Sequence, residues 1–193
     1  AERHSPLTRN RRSPAYPVGM ADTPTAPDIA WDLEPLVYGE GAAGVERLLA
    51  EATERATAFA ETYSGKVAEL DSAGLAAAVN AMQEISDLAG RAAVYASLKF
   101  SVDTVAPENG ALLALVQERS TAIETQMLFF DLEWAELDDA RVEELLGADG
   151  LELVQHHLRS TRRYRPHLLS EPEERIISET SVTGSDAWAR LFA

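Results

Sequence analysis

The stretch "DSAGLAAAVNAMQEISDLAGRAAVYASLKFSVDT", residues 71–104, decides the fold class, because its apolar residues recur every three or four positions. That spacing places them on one face of an α-helix. Asp71 or Ser72 can cap the first turn, since a short polar side chain accepts hydrogen bonds from the free N–H groups there. The stretch therefore predicts one long amphipathic helix with the buried stripe Leu75, Val79, Met82, Ile85, Leu88, Ala89, Ala92, Tyr95 and Leu98.

A second long helix is predicted in "APENGALLALVQERSTAIETQMLFFDLEWAEL", residues 106–137. Residues 103–107 break the apolar pattern between the two helices. A short connection between two long helices is typical of an antiparallel helical hairpin. We interpret Met82 and Phe129 as core packing. The stripe of the second helix comprises Leu112, Leu115, Val116, Arg119, Ile123, Met127, Phe130 and Trp134.

Shorter helices are predicted over residues 44–63, 138–146 and 151–163. The sequence shows no strand-like alternation. The glycines of "GEGAAG", residues 39–44, lack both the preceding strand and the following Gly-Lys-Ser/Thr of a phosphate loop, so we interpret them as the flexible start of a helix. The predicted fold class is all-α, a long antiparallel helical hairpin plus shorter helices.

The segment "WDLEPLVYG", residues 31–39, carries two large aromatic side chains on either side of a proline. Proline fixes its own backbone and disfavours helical geometry at the residue before it. We therefore predict an extended anchor that lays Trp31 and Tyr38 on a neighbouring surface.

Composition narrows the class of protein. The chain has 193 residues, of which 46% are hydrophobic, which is enough for a sizeable core. It contains no Cys, which excludes disulfides, thiolate metal sites and Cys nucleophiles. No run of 18 apolar residues is present in the sequence, so no transmembrane helix is predicted. We predict a cytoplasmic protein.

The charge divides the chain into two parts. Residues 1–20 carry four Arg and one Glu, whereas the remaining 173 residues carry 13 Lys and Arg against 31 Asp and Glu. We interpret residues 1–30 as a disordered leader, with residues 1–19 preceding a natural start at Met20, and residues 31–193 as a helical lobe. A transit peptide is the alternative reading of the Arg content, although the prolines argue against an amphipathic helix there.

The acidic lobe argues against nucleic acid as a partner, because a binder of phosphates needs a positive face. The one cluster of cations comprises Arg159, Arg162, Arg163 and Arg165. We interpret it as a solvated helix end, where cations favour the negative end of the helix dipole. An anion or partner contact is the alternative.

Few residues qualify as metal ligands. Glu152 and His156 are four positions apart, which places them on one helix face, and His167 or Glu173 are conceivable further ligands. His156 and His157 point about 100° apart on a helix, so they cannot both serve one such face. The sequence contains no H-E-x-x-H motif. We predict no metal and no catalytic residue in this chain, and we assign no substrate-binding residue.

The segment "RRYRPHLLSEPEERIISETSVTGSDAWARLF", residues 162–192, resembles the N-terminal region of oligoendopeptidase F and its relatives among the zinc metallopeptidases. A W-[DN]-L opening at residue 31 and a helical hairpin precede it in the same order as in that family. Two short patterns carry the resemblance through Arg163, Pro166, His167, Leu169, Ser170, Glu173, Glu174 and Ile176, and then through Thr183, Gly184, Ala187, Trp188, Leu191 and Phe192. We expect the resemblance to cover residues 31–193.

Two caps are expected in this segment. Ser170 and Glu173 fit a capping box, and Ser185 can cap a last helix. That helix carries Trp188, Leu191 and Phe192 on one face. We expect this face to contact something that the sequence does not encode.

The resemblance implies an N-terminal lobe of a larger helical clam-shell peptidase that hydrolyses short peptides. In that family one zinc ion is held by an H-E-x-x-H helix and a downstream Glu, all outside the region matched here. We therefore expect this chain to be truncated before its catalytic region, to form a wall of the substrate channel, and to be inactive alone. A stand-alone helical interaction module without enzymatic activity is the alternative.

Overall fold

The computed structural model describes residues 31–147 and 151–191, and the predicted leader, residues 1–30, lies outside them. The described residues form seven α-helices and three short 3-10 helices, with no strand among them. The predicted all-α class is thus confirmed. The α-helices are α1 (Gly41–Tyr63), α2 (Ser72–Val102), α3 (Pro107–Glu136), α4 (Asp139–Leu146), α5 (Gln155–Arg162), α6 (Glu171–Ser181) and α7 (Ser185–Leu191).

The helices α1, α2 and α3 pack against one another and enclose most of the core. The hairpin of α2 and α3 has the predicted ends, and Asp71 caps α2 by accepting a hydrogen bond from Gly74 N at 2.7 Å. Phe59 of α1 stacks in tilted geometry near Phe129 and Phe130 of α3, with ring centroids 5.6 and 5.9 Å away. Most of the residues predicted as stripes therefore belong to the core, whereas Arg119 is exposed and Leu98 and Leu115 lie outside the core cluster.

The residues before α1 differ from the prediction. Glu34–Val37 is a 3-10 helix and not an extended anchor, and its buried residue is Val37. Trp31 is 81% exposed and Tyr38 51% exposed, so neither aromatic side chain is buried. The carboxylate of Glu34 explains the turn, because it accepts hydrogen bonds from Gly41 N at the start of α1 and from the Tyr95 hydroxyl.

The helices α4 and α5 lie at the C-terminal end of α3. Asp138 caps α4 by accepting from Arg141 N at 2.9 Å. The predicted helix 151–163 is shorter than expected, since α5 begins at Gln155 and residues 151–154 form a turn. The side-chain amide of Gln155 donates to Leu146 O, which ties the start of α5 to the end of α4.

The helix α6 packs on α3, and α7 follows α6 after one turn. The predicted capping box is present, with Ser170 and Glu173 bonded reciprocally. The predicted cap at Ser185 is wrong. Gly184 holds that position, because its carbonyl accepts from Trp188 N, and the Ser185 hydroxyl donates to Asp186 instead.

None of the described helices combines the length and the apolar character that crossing a membrane requires.

Candidate functional site

The residues considered as metal ligands do not converge in the structure. His156 lies on the exposed face of α5 with Nε2 3.4 Å from Ser160 Oγ. His167 ends a separate 3-10 helix, and Glu173 is engaged in the capping box, where hydrogen bonds from Ser170 lower the pKa of its carboxyl group. Across residues 31–147 and 151–191, no three His, Asp or Glu side chains are grouped as a metal site requires. The described residues therefore do not fit a zinc ion.

Arg162 departs from the interpretation of the cation cluster as a solvated helix end. The side chain of Arg162 is only 8% exposed, and its guanidinium donates to the carbonyl oxygens of Trp134, Ala135 and Leu137 and to Asp139 Oδ1. These carbonyls are the unpaired acceptors at the end of α3. The interpretation placed this cation at the end of its own helix. Because α5 folds back, Arg162 instead binds the carbonyl oxygens at the end of α3.

The other arginines of the cluster are more exposed. Arg159 donates two hydrogen bonds to the Glu143 carboxylate, at 3.1 and 2.9 Å, and these hold the pKa of Glu143 below its usual value. Arg165 lies 3.5 Å from Asp139, whose pKa is lowered first by the hydrogen bond from Arg162. This arrangement joins α4 to α5 and leaves Arg163 as an exposed cation.

A group of large apolar side chains remains uncovered on α6 and α7. Ile176 and Ile177 are 59% and 53% exposed, and Trp188 and Leu191 are 66% and 69% exposed. We call these four residues the α6–α7 apolar face. Trp188 and Leu191 lie as predicted on an exposed helix surface, whereas Phe192 lies outside the described residues. Exposed large apolar side chains on neighbouring helices are candidates for an interaction site.

A groove of about 820 Å³ runs between α3 and the α6–α7 pair. We call it the α3–α6 groove. Its volume lies in the range that binding sites usually occupy, roughly 300–1,000 Å³. Its walls combine small apolar side chains with polar and charged ones, as shown by Ala114, Glu118 and Ala122 on α3 and by Glu179, Val182 and Ala187 opposite.

The rim of the α3–α6 groove is acidic. Glu118 and Glu179 are exposed on opposite walls. Arg175 is the one cation among the lining residues that the structure describes, and Glu171 pairs with it at 3.4 Å. Negative charge therefore dominates at the rim.

The sequence did not predict this groove, because it lies on a different face of α3 from the one that packs against α1 and α2. The stripe that packs against α1 and α2 dominates the periodicity of that helix, and Ala114, Thr121 and Ala122 read as ordinary surface positions. The available signal was their small size, repeated at helical spacing on a face that also carries Glu118. Only the docking of α6 turns that face into one wall of a groove.

Comparison with known proteins shows that part of this chain is similar to a peptidase family. A family model described as Oligopeptidase F matches residues 133–193. The resemblance to the N-terminal region of oligoendopeptidase F is thereby confirmed for that segment, and residues 31–132 remain a prediction. No curated protein and no solved structure matches the chain. The matched segment contains α4 to α7 and the whole α6–α7 apolar face.

Proposed function

We propose that this chain is the N-terminal part of a zinc-dependent oligopeptidase that hydrolyses short peptides, and that it forms one wall of the substrate channel. The observation that carries the proposal is the position of the α6–α7 apolar face inside the segment matched by the peptidase family. A peptidase lobe has to pack against a catalytic region, and this face offers the uncovered apolar surface for that contact.

The energetics favour such a contact. Burial of one large apolar side chain contributes roughly 1.5–3 kcal/mol. Ile176, Ile177, Trp188 and Leu191 are each more than half exposed, so most of that free energy is not realised within the described residues. A catalytic region that covers all four would therefore be held firmly to this lobe.

In the proposed enzyme, residues outside the described ones would bind the zinc ion. We assign no step of the reaction to side chains of this chain. We propose that this chain forms part of the channel wall and supports the catalytic region. We also propose a cytoplasmic location, in keeping with the absence of Cys.

Extension of the reading frame beyond codon 193 tests this function. We expect the added sequence to contain H-E-x-x-H, and we expect the longer protein to cleave short fluorogenic peptides in a chelator-sensitive manner. The 193-residue chain serves as the control and is expected to show no cleavage. A longer protein without peptidase activity, or a stop codon directly after codon 193, would contradict the proposal.

The second candidate is a helical interaction module without enzymatic activity. The α3–α6 groove favours it, because an open groove of this volume can receive a partner.

A further inference from the structure

We propose that the α3–α6 groove binds an amphipathic α-helix of another protein, with a stripe of apolar residues flanked by Lys or Arg. The proposal is independent of the peptidase assignment. It rests on the shape of the groove, on the hydrogen-bonding state of its walls and on the charge of its rim.

The shape suits a helix. The walls are themselves helices, and half of the lining residues are Ala or Thr, so the backbone of an incoming helix can approach closely there. Ala114 and Ala122 lie on α3, and Ala187 faces them from α7. Recognition of an amphipathic helix by an apolar groove between helices is a recurring mode of peptide binding.

The walls disfavour an extended peptide. The backbone N–H and C=O groups of α3 and α6 are used within those helices, so they cannot pair with a strand. The hydroxyl of Thr125 is also engaged, since it donates to Thr121 O at 2.8 Å. An occupant of an apolar groove has to satisfy its own backbone, because a buried polar group without a partner is costly. An α-helix does so.

The charge selects a basic helix. Glu118 and Glu179 lie on opposite walls, where they can pair with cations on the two flanks of one helix. The whole chain has a formal net charge of -15, which attracts a cationic partner over a longer range. Complementary charge at a rim contributes mainly to specificity and association rate.

A second copy of this chain is a poor occupant. Among the described helices, α5 is the one that carries more arginines than carboxylates, and its apolar Leu158 is buried. The helix α6 exposes Ile176 and Ile177, but it carries four Glu against one Arg and is therefore acidic. The arginines of α5 are also engaged, with Arg159 on Glu143 and Arg162 on the end of α3. The occupant is therefore a different polypeptide.

The test uses the 193-residue protein and a fluorescent synthetic peptide of about five helical turns, with a Leu and Ala stripe flanked by Lys. Three control peptides replace every Lys by Glu, scramble the sequence at constant charge, or place Pro in the middle. We expect fluorescence anisotropy to show at least tenfold tighter binding of the basic amphipathic peptide than of any control.

Variants of the protein locate the binding site. Glu118→Lys with Glu179→Lys should weaken binding at least tenfold, and Ala122→Trp should do so by filling the floor of the groove. Ala122 is exposed, so circular dichroism should show an intact fold. The matched control is Glu54→Lys with Glu61→Lys on the exposed side of α1, which changes net charge equally and should leave affinity within twofold.

Four results would overturn the proposal. The basic peptide does not bind, the scrambled peptide binds equally well, the proline peptide binds equally well, or the control pair on α1 weakens binding as much as the groove pair. The second and fourth results would show attraction by net charge alone. The third would show that no helix is required.

Discussion

Arg162 caps the C-terminal end of α3, the helix that carries Trp134. The guanidinium carbon lies 5.9 Å from the centre of the Trp134 ring, and Nη1 donates to the carbonyl oxygen of the same residue. In return, Nε1 of Trp134 donates to Leu158 O at 2.9 Å, one turn before Arg162 on α5. The two residues therefore fasten α3 and α5 together in both directions. This contact also stands at the start of the segment matched by the peptidase family.

Replacement of Arg162 by Ala should lower the free energy of unfolding by about 2–3 kcal/mol, because it leaves carbonyl oxygens at the end of α3 without a partner. Arg162→Lys should fall between wild type and Arg162→Ala, since one ammonium cannot serve three separated carbonyls as a planar guanidinium does. The measurement is urea denaturation followed by circular dichroism. Arg163→Ala is the matched control, with an expected change within about 0.5 kcal/mol. Equal effects at the two positions would show that Arg162 is not a cap.

The phenol of Tyr95 should ionise at a higher pH than that of a free tyrosine, because of its environment. It is 3% exposed, its hydroxyl donates to Glu34 Oε1 at 2.9 Å, and burial followed by this hydrogen bond raises the pKa of the phenol. The folded pKa is above the unfolded value of about 10. The corresponding stability is therefore complete below pH of about 10 and is lost as the pH rises through the folded pKa.

Glu34→Gln should lower the pKa of Tyr95, since an anionic acceptor no longer opposes ionisation, although burial still keeps it raised. Ultraviolet absorbance titration measures the phenolate, and Tyr95→Phe identifies its contribution. We also expect a loss of about 1 kcal/mol in the free energy of unfolding. An unchanged tyrosine titration in Glu34→Gln would contradict the contact.

Gly44 should not tolerate a methyl group. A Cβ at Gly44 would lie 2.1 Å from Val37 O and 2.9 Å from Val37 Cβ, so α1 and the preceding 3-10 helix would have to separate. We expect Gly44→Ala to lower the free energy of unfolding by about 1–3 kcal/mol, the usual cost of overpacking. Gly90→Ala is the control, because nothing lies within 4 Å of the added atom. Alanine at that mid-helix position should stabilise by roughly 0.5–1 kcal/mol. Thermal and chemical denaturation of both variants check the opposite signs.

The α6–α7 apolar face should promote self-association of the 193-residue chain. Trp188→Glu or Leu191→Glu should reduce that association, because either change places a charge within the exposed apolar surface. Sedimentation velocity over a range of concentrations measures the effect. Ala189→Glu adds the same charge about 100° around the helix and should have a smaller effect. If all three variants behave like the wild type, the face does not drive association.

The 193-residue chain should retain substantially less than one equivalent of zinc after dialysis. A zinc site needs three or four convergent ligands, and the described residues show no such group. Metal analysis of the dialysed protein measures the ratio, with His156→Ala as a comparison. A full equivalent that disappears in His156→Ala would establish a site on α5.

The sequence was most informative where one pattern dominated. The stripes of α2 and α3 predicted the hairpin and its ends, and the capping box at Ser170 and Glu173 was recognisable because both partners lie within one turn. In each of these cases the residues that stabilise the element are close together in the chain.

Contacts between residues that are far apart in the sequence were harder to predict. Arg162 is 28 positions from Trp134, and nothing in the local sequence indicates that α5 folds back on the end of α3. The prediction of an extended anchor at residues 31–39 was wrong for a similar reason. Glu34 stabilises a 3-10 turn through Tyr95, 61 positions away. The α3–α6 groove likewise depends on where α6 lies, which periodicity does not determine.

Gly184 is the last of the three residues that connect α6 to α7. Its N–H donates to Thr180 O at the end of α6, and its C=O accepts from Trp188 N in α7. The direction of α7 is therefore set by very few backbone dihedrals, and Leu191 lies roughly 10 Å along the helix axis from this point. A rotation of roughly 10° at Gly184 would displace Leu191 by roughly 2 Å. A small change in this connection would therefore shift the apolar side chains of α7 relative to α3 and α6.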